Sequence, residues 1–124
     1  MAFKKIMIVD DEEDIRKTLS LFLESKCEEI IEADGVGQTI YHLNREIPDL
    51  IFLDVMLPGL DGIEILQMIK KYNENVPIIM MSGYATEEMA KKSLSIGAYD
   101  YVRKPFNLDR ISSLMSVIEL AKFV

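Results

Sequence analysis

Four short runs in this chain, three apolar and the last more amphipathic, each end on a side chain that can do chemistry. Ile6-Met7-Ile8-Val9 leads into Asp10-Asp11, Leu50-Ile51-Phe52-Leu53 into Asp54, Val76-Pro77-Ile78-Ile79-Met80-Met81 into Ser82, and the run from Tyr99 to Arg103 into Lys104. Brought to one place, these groups are the parts of a phosphoryl-transfer site: a carboxylate nucleophile, an acidic pocket, a hydroxyl donor and an ammonium to meet phosphoryl oxygens. Three close carboxylates repel one another, and some would be driven to protonate. A hard divalent cation removes that problem. Mg²⁺ takes one or two carboxylates, keeps several waters and accepts phosphate oxygens, so it suits such a pocket.

The order of elements is what would gather these residues. Leu50 to Leu53 is an unbroken apolar run, closed after Val55-Met56-Leu57 by Pro58-Gly59, and reads as a strand buried on both faces. Ile6–Val9, Glu29–Ala33, the run beginning at Val76 and Tyr99–Arg103 read as four more strands. Between them lie helical patterns: Ile15, Leu19, Phe22 and Leu23, with Lys26-Cys27 closing the first helix; Ile40, Leu43 and Ile47; Ile63, Ile65, Leu66 and Ile69. Next comes a helix from a Thr86 cap to the Gly97 stop, and a last one from Asp109 to about Phe123 carrying Ile111, Leu114, Met115, Ile118 and Leu120-Ala121. Five alternations of strand and helix imply right-handed crossovers and a parallel sheet with helices on both faces, an α/β doubly wound fold. In such sheets ligands bind outside the carboxyl ends of the strands, where Asp10, Asp54, Ser82 and Lys104 fall.

Composition sets outer bounds. With 124 residues, 49% hydrophobic and 28% charged, the chain reads as one globular domain, residues 1–124, with no further output domain. Its formal charge of −7 argues against direct nucleic-acid binding and against attraction to an anionic membrane. A single cysteine, Cys27, allows no internal disulfide, and no signal segment or membrane span is recognisable. The expected location is the cytoplasm.

Ile8-Val9-Asp10-Asp11, Asp49-Leu50 through Asp54 to Pro58-Gly59 with Asp61-Gly62, Met81-Ser82-Gly83, Gly97-Ala98 and Lys104-Pro105-Phe106 occur in an order and spacing that closely resemble the receiver (CheY-like) domain of two-component response regulators. The resemblance covers essentially the whole chain. It implies a flavodoxin-like (βα)5 fold with strand order 2-1-3-4-5, and a signalling domain rather than an enzyme acting on other substrates. It makes Asp54 the phosphoacceptor, taking its phosphoryl group from a sensor histidine kinase or a phosphotransfer protein. Asp11 would bind Mg²⁺ (or Mn²⁺ in its place) directly, Asp10 through water, and Asp54 and the Met56 backbone carbonyl would complete the protein ligands. Lys104 and Ser82 would meet phosphoryl oxygens. Tyr101 would swing inward on activation, repacking the face of the fourth helix, fifth strand and fifth helix toward a downstream protein. Members of the family typically carry a cis bond before the proline matching Pro105. Met56 and Tyr84 occupy positions that modulate the chemistry, and a long apolar chain and an aromatic there imply a shielded, long-lived phosphoform.

Each residue also has a plainer reading. Asp10-Asp11 can be acid at a helix N-terminus, Ser82 a turn residue, Lys104 an exposed strand end and Tyr101 edge packing; His42 and Cys27 read as structural. A haloacid-dehalogenase-like phosphatase would want an aspartate where Met56 stands, and a flavodoxin a phosphate-cradling loop where Asp10-Asp11 stand. The nearest rival is a receiver-fold interaction module, unphosphorylated, with a vestigial acidic site.

Overall fold

The computed structural model describes residues 3–83 and 86–122. Five strands, β1 (Phe3–Val9), β2 (Cys27–Ala33), β3 (Leu50–Asp54), β4 (Ile78–Ser82) and β5 (Asp100–Arg103), alternate with five helices, α1 (Glu13–Leu23), α2 (Val36–Arg45), α3 (Gly62–Tyr72), α4 (Glu87–Ile96) and α5 (Leu108–Ala121). All strand pairings in the sheet are parallel, in the order β2-β1-β3-β4-β5. This is the flavodoxin-like arrangement expected of the sequence.

The apolar runs are unbroken because both faces of the central strands are covered. Alternate residues point to opposite sides of a strand. Met7, Val9, Ile51, Leu53, Ile78 and Met80 join Leu43 of α2 and Ile65, Leu66 and Ile69 of α3 in one buried cluster, against which Met89, Ala90 and Ile96 of α4 also pack. Ile6, Ile8, Leu50, Phe52, Ile79 and Met81 join Leu19 and Leu23 of α1 and Ile111, Met115 and Ile118 of α5 in the other. Every residue of β3 and of β4 is buried.

The sequence reading needs correction in four places. Lys26-Cys27 does not close α1: Cys27 begins β2 and is buried, its register with Phe3 extending both strands beyond their expected starts. In α2 the buried positions are Thr39 and Leu43, and Ile47 lies beyond the helix, because Thr39 spends its hydroxyl on the Gly35 carbonyl at 2.8 Å and can face the sheet. Leu120 in α5 is 67% exposed, since Ile111, Met115 and Ile118 already fill the face against the sheet. The fourth strand starts at Ile78 rather than Val76, Pro77 having no N–H to give a ladder. The expected helical reach to Phe123 falls outside the described residues. No helix among the described residues is long and apolar enough to cross a membrane.

Candidate functional site

A parallel sheet delivers all its carboxyl ends to one edge, and here that edge carries the chemistry. Asp10 follows the last residue of β1 and continues its pairing, its N–H donating to the Ala33 carbonyl at 3.0 Å. Asp54 is the last residue of β3 and Ser82 the last of β4. Lys104 follows β5, and its N–H donates to the Ser82 carbonyl at 2.9 Å. The peptide bond from Lys104 to Pro105 is cis.

Asp54 is held in place from behind by a tight turn. Val55 N–H donates to the Met81 carbonyl, Met56 and Leu57 pair antiparallel with Asp61 and Leu60, and Gly62 N–H donates to the Val55 carbonyl at 2.6 Å. A Cβ on Gly62 would lie 2.4 Å from the Val55 Cα, so only glycine permits this approach. Gly59, at φ 84°, turns the chain between the two short strands. Asp61 then caps α3, its side chain accepting from Ile63 N–H at 2.9 Å.

Lys104 is the hub of the site. Its Nζ donates to Asp10 Oδ2 at 2.6 Å and to Asp54 Oδ2 at 3.2 Å, and it lies 3.8 Å from Glu12 Oε1. Asp10 is fully buried and Asp54 is 4% exposed. The other Asp54 oxygen, Oδ1, accepts from Met56 N–H at 3.1 Å, and Asp10 Oδ1 accepts from Glu12 N–H at 2.9 Å. Burial pushes the Asp54 carboxyl up to about 6; the Met56 N–H opposes that, the Asp10 charge adds to it, and Lys104 pulls it back down. Burial also works against the Lys104 ammonium, but its hydrogen bond to Asp10 and the charges of Asp10 and Asp54 outweigh this and hold it above the ordinary lysine value. A half-buried cation between two carboxylates is held there by pairing this close.

A depression of about 210 Å³ opens over these groups, lined by Asp11, Glu12, Asp54, Met56, Ser82, Gly83 and Lys104. Ser82 is buried at its floor and the Met56 side chain is 58% exposed at its rim. Asp10, Asp11 and Glu12 each bring a carboxylate oxygen within 4.8 Å of the others. The expected trio was Asp10, Asp11 and Asp54; Asp54 stands outside the tight group and is tied to it through Lys104. Glu12 is the member of this group that was not expected from the sequence. It occupies the N-cap position of α1 without a side-chain capping bond, and turns toward Lys104 instead. Adjacency to Asp10-Asp11 was its one signal in the sequence. An all-oxygen, anionic donor set of this kind fits a hard cation such as Mg²⁺ and not a metal that seeks nitrogen or sulfur.

Tyr101 is 7% exposed and belongs to the buried cluster shared with Leu57, Met80 and Ala98. The ring expected to swing inward on activation is therefore already inside. Tyr84 lies outside the described residues. His42 makes an edge contact with Tyr41, ring centroids 5.3 Å apart, and takes no part in the site.

Residues 6–116 match the response regulator receiver domain family. The chain is 37% identical over 111 residues to the sporulation initiation phosphotransferase F of Bacillus subtilis (strain 168), covering 90% of each. It is 37% identical over 115 residues to the regulatory protein AtoC of Escherichia coli (strain K12), covering 92% of this chain but 25% of that one. The crystal structure of the receiver domain of NtrX from Brucella abortus is similar at a TM-score of 0.85 and 35% identity, with 92% of this chain and 97% of that one covered.

Proposed function

The chain belongs to the response regulator receiver family, and from that premise we propose that Asp54 takes a phosphoryl group from a histidine kinase or phosphotransfer protein in a Mg²⁺-dependent reaction, which resets the α4-β5-α5 face toward a protein partner. The observation that carries the assignment to these residues is the half-buried Lys104 ammonium, 2.6 Å from Asp10 and 3.2 Å from Asp54. It sets a positive charge beside a nucleophile and beside an acidic pocket at once.

In the reaction an Asp54 oxygen attacks phosphorus in line, a P–O bond forms, and the P–N bond to the donor histidine breaks with its electron pair returning to the imidazole. Met56 N–H and Lys104 hold the two Asp54 oxygens, so the carboxylate is oriented before the donor arrives. Lys104 then exchanges a carboxylate partner for a phosphoryl oxygen, and Ser82 offers its hydroxyl to another. Asp10, Asp11, Asp54 and the Met56 carbonyl would hold the ion; bound there, Mg²⁺ or Mn²⁺ would neutralise charge on the transferred oxygens. The added charge biases Ser82 and Tyr101, and through them the packing of α4 on β5. Because Tyr101 is already buried, this switch is a shift between populations rather than the first entry of the ring. The domain catalyses nothing beyond gain and loss of its own phosphoryl group.

Incubation with Mg²⁺ and a small-molecule phosphodonor, read by intact mass beside Asp54→Ala, tests the assignment. The expected result is an adduct of phosphoryl mass that disappears in the variant and when Mg²⁺ is chelated. A folded chain that gains no mass from that donor or from a histidine kinase would instead be an interaction module with a vestigial site.

A further inference from the structure

Arg16 has no part in the reaction above, yet it touches the acidic loop directly. It lies near the start of α1, and its side chain is only 16% exposed. Nη1 donates to the Asp10 carbonyl at 2.8 Å, and Nε donates to Glu32 Oε1 at 3.1 Å. Glu32 sits on β2 beside Ala33, whose carbonyl accepts the Asp10 N–H. Each polar atom of Asp10 thus has a partner: N–H on Ala33, carbonyl on Arg16, Oδ1 on Glu12 N–H and Oδ2 on Lys104. Lys104 and Glu12 hold the side chain. Arg16 is the group that holds the peptide joining Asp10 to Asp11, and the plane of that peptide sets the direction in which the Asp11 carboxylate leaves the backbone.

We infer that Arg16, clamped by Glu32, is a positioning residue that presents the Asp10 and Asp11 carboxylates to a divalent cation as a preformed pair. The inference rests on the cation-site reading above. Two physical effects of Arg16 have opposite signs, which makes it testable. As a bare charge the guanidinium repels a cation, so its removal would tighten divalent binding. As a fork fixing the loop it spares the cation the cost of ordering that loop, so its removal would weaken binding, and groups that orient metal ligands commonly account for about 10–100-fold in affinity. A lysine would keep the charge but lose the two-pronged geometry.

Calorimetric titration of Mg²⁺ into the whole chain, unmodified and as Arg16→Gln, Arg16→Lys and Glu32→Gln, separates the two, with circular dichroism confirming that each variant is folded. The expected result is Mg²⁺ binding weakened about tenfold in Arg16→Gln, weakened as well in Arg16→Lys, and weakened less in Glu32→Gln. Phosphorylation of Arg16→Lys should recover at saturating Mg²⁺, a split that a general loss of structure would not give. Should Arg16→Gln not fold, Arg16→Lys and Glu32→Gln carry the comparison. Folded variants that bind Mg²⁺ as tightly as the unmodified chain, or more tightly, would overturn the inference. If the unmodified chain itself binds no Mg²⁺, the cation site fails and this inference fails with it.

Discussion

Burial lifts the Asp54 carboxyl to about 6 against an ordinary 3.8, with Asp10 adding to the rise and Met56 N–H and Lys104 resisting it. Between those two values the folded chain holds a proton that the unfolded chain has released, so stability falls as pH rises through that window and stays lower above it. Without a divalent ion, Asp54→Asn should therefore unfold at higher urea than the unmodified chain at pH 7, by on the order of 2 kcal/mol, with the gap closing toward pH 4. A constant gap across that range would show that Asp54 is not strained by its charge. Met56, exposed at the rim of the same depression, leads to a second expectation. If a long apolar chain there and an aromatic at position 84 shield the acyl phosphate of the proposed reaction from water, Met56→Asn with Tyr84→Glu should shorten the phosphoform lifetime at least several-fold, measured by loss of the mass adduct. An unchanged lifetime would remove both residues from the chemistry.

The contact between α4 and β5 is packed but not satisfied. Ser93 on α4 and Tyr101 on β5 bury their hydroxyl oxygens without a hydrogen-bond partner, and each such group costs about 1–3 kcal/mol. Ser93→Ala removes one of them and improves helix propensity, so it should raise the unfolding free energy by about 1 kcal/mol or more in urea titrations; Tyr101→Phe should act in the same direction. A loss of stability in both would mean that the hydroxyls find partners in solution. Elements whose patterns were strong, such as α3 with Ile63, Ile65, Leu66 and Ile69, and α4 with its Thr86 cap and Gly97 stop, lie where periodicity and capping place them. The weaker α2 was misread, because Thr39 counts as polar until its hydroxyl is seen bonded within the helix.

At the scale of the molecule, the doubly wound sheet links the site to a distant face. Lys104 and Tyr101 belong to one segment, β5 and its exit, and Ser82 pairs with that strand through Arg103. On the function proposed above, a charge change over Ser82 and Lys104 would be felt along β5 and by α4 packed on it. Ser82→Ala and Tyr101→Ala should still accept a phosphoryl group at Asp54, yet lose most of the phosphorylation dependence of partner binding, read by comparing affinities of the two forms. If both variants keep that dependence in full, the switch runs through other residues.

The strand order came only with the resemblance to receiver domains, whereas the fold class and four of the site side chains follow from the one-dimensional pattern, for a simple reason. A strand buried on both faces needs a continuous apolar run, and in a parallel sheet every run must end at the same edge, so the residue that follows each run is placed by topology alone. What that edge does with those residues was decided in three dimensions. No spacing in the sequence says that Lys104 reaches both Asp10 and Asp54, that Glu12 rather than Asp54 completes the close group of carboxylates, that Tyr101 is already buried, or that Arg16 and Glu32 grip the loop. Such contacts span up to 94 residues of chain. They depend on side-chain directions and on competition for hydrogen bonds, which only the packed molecule settles.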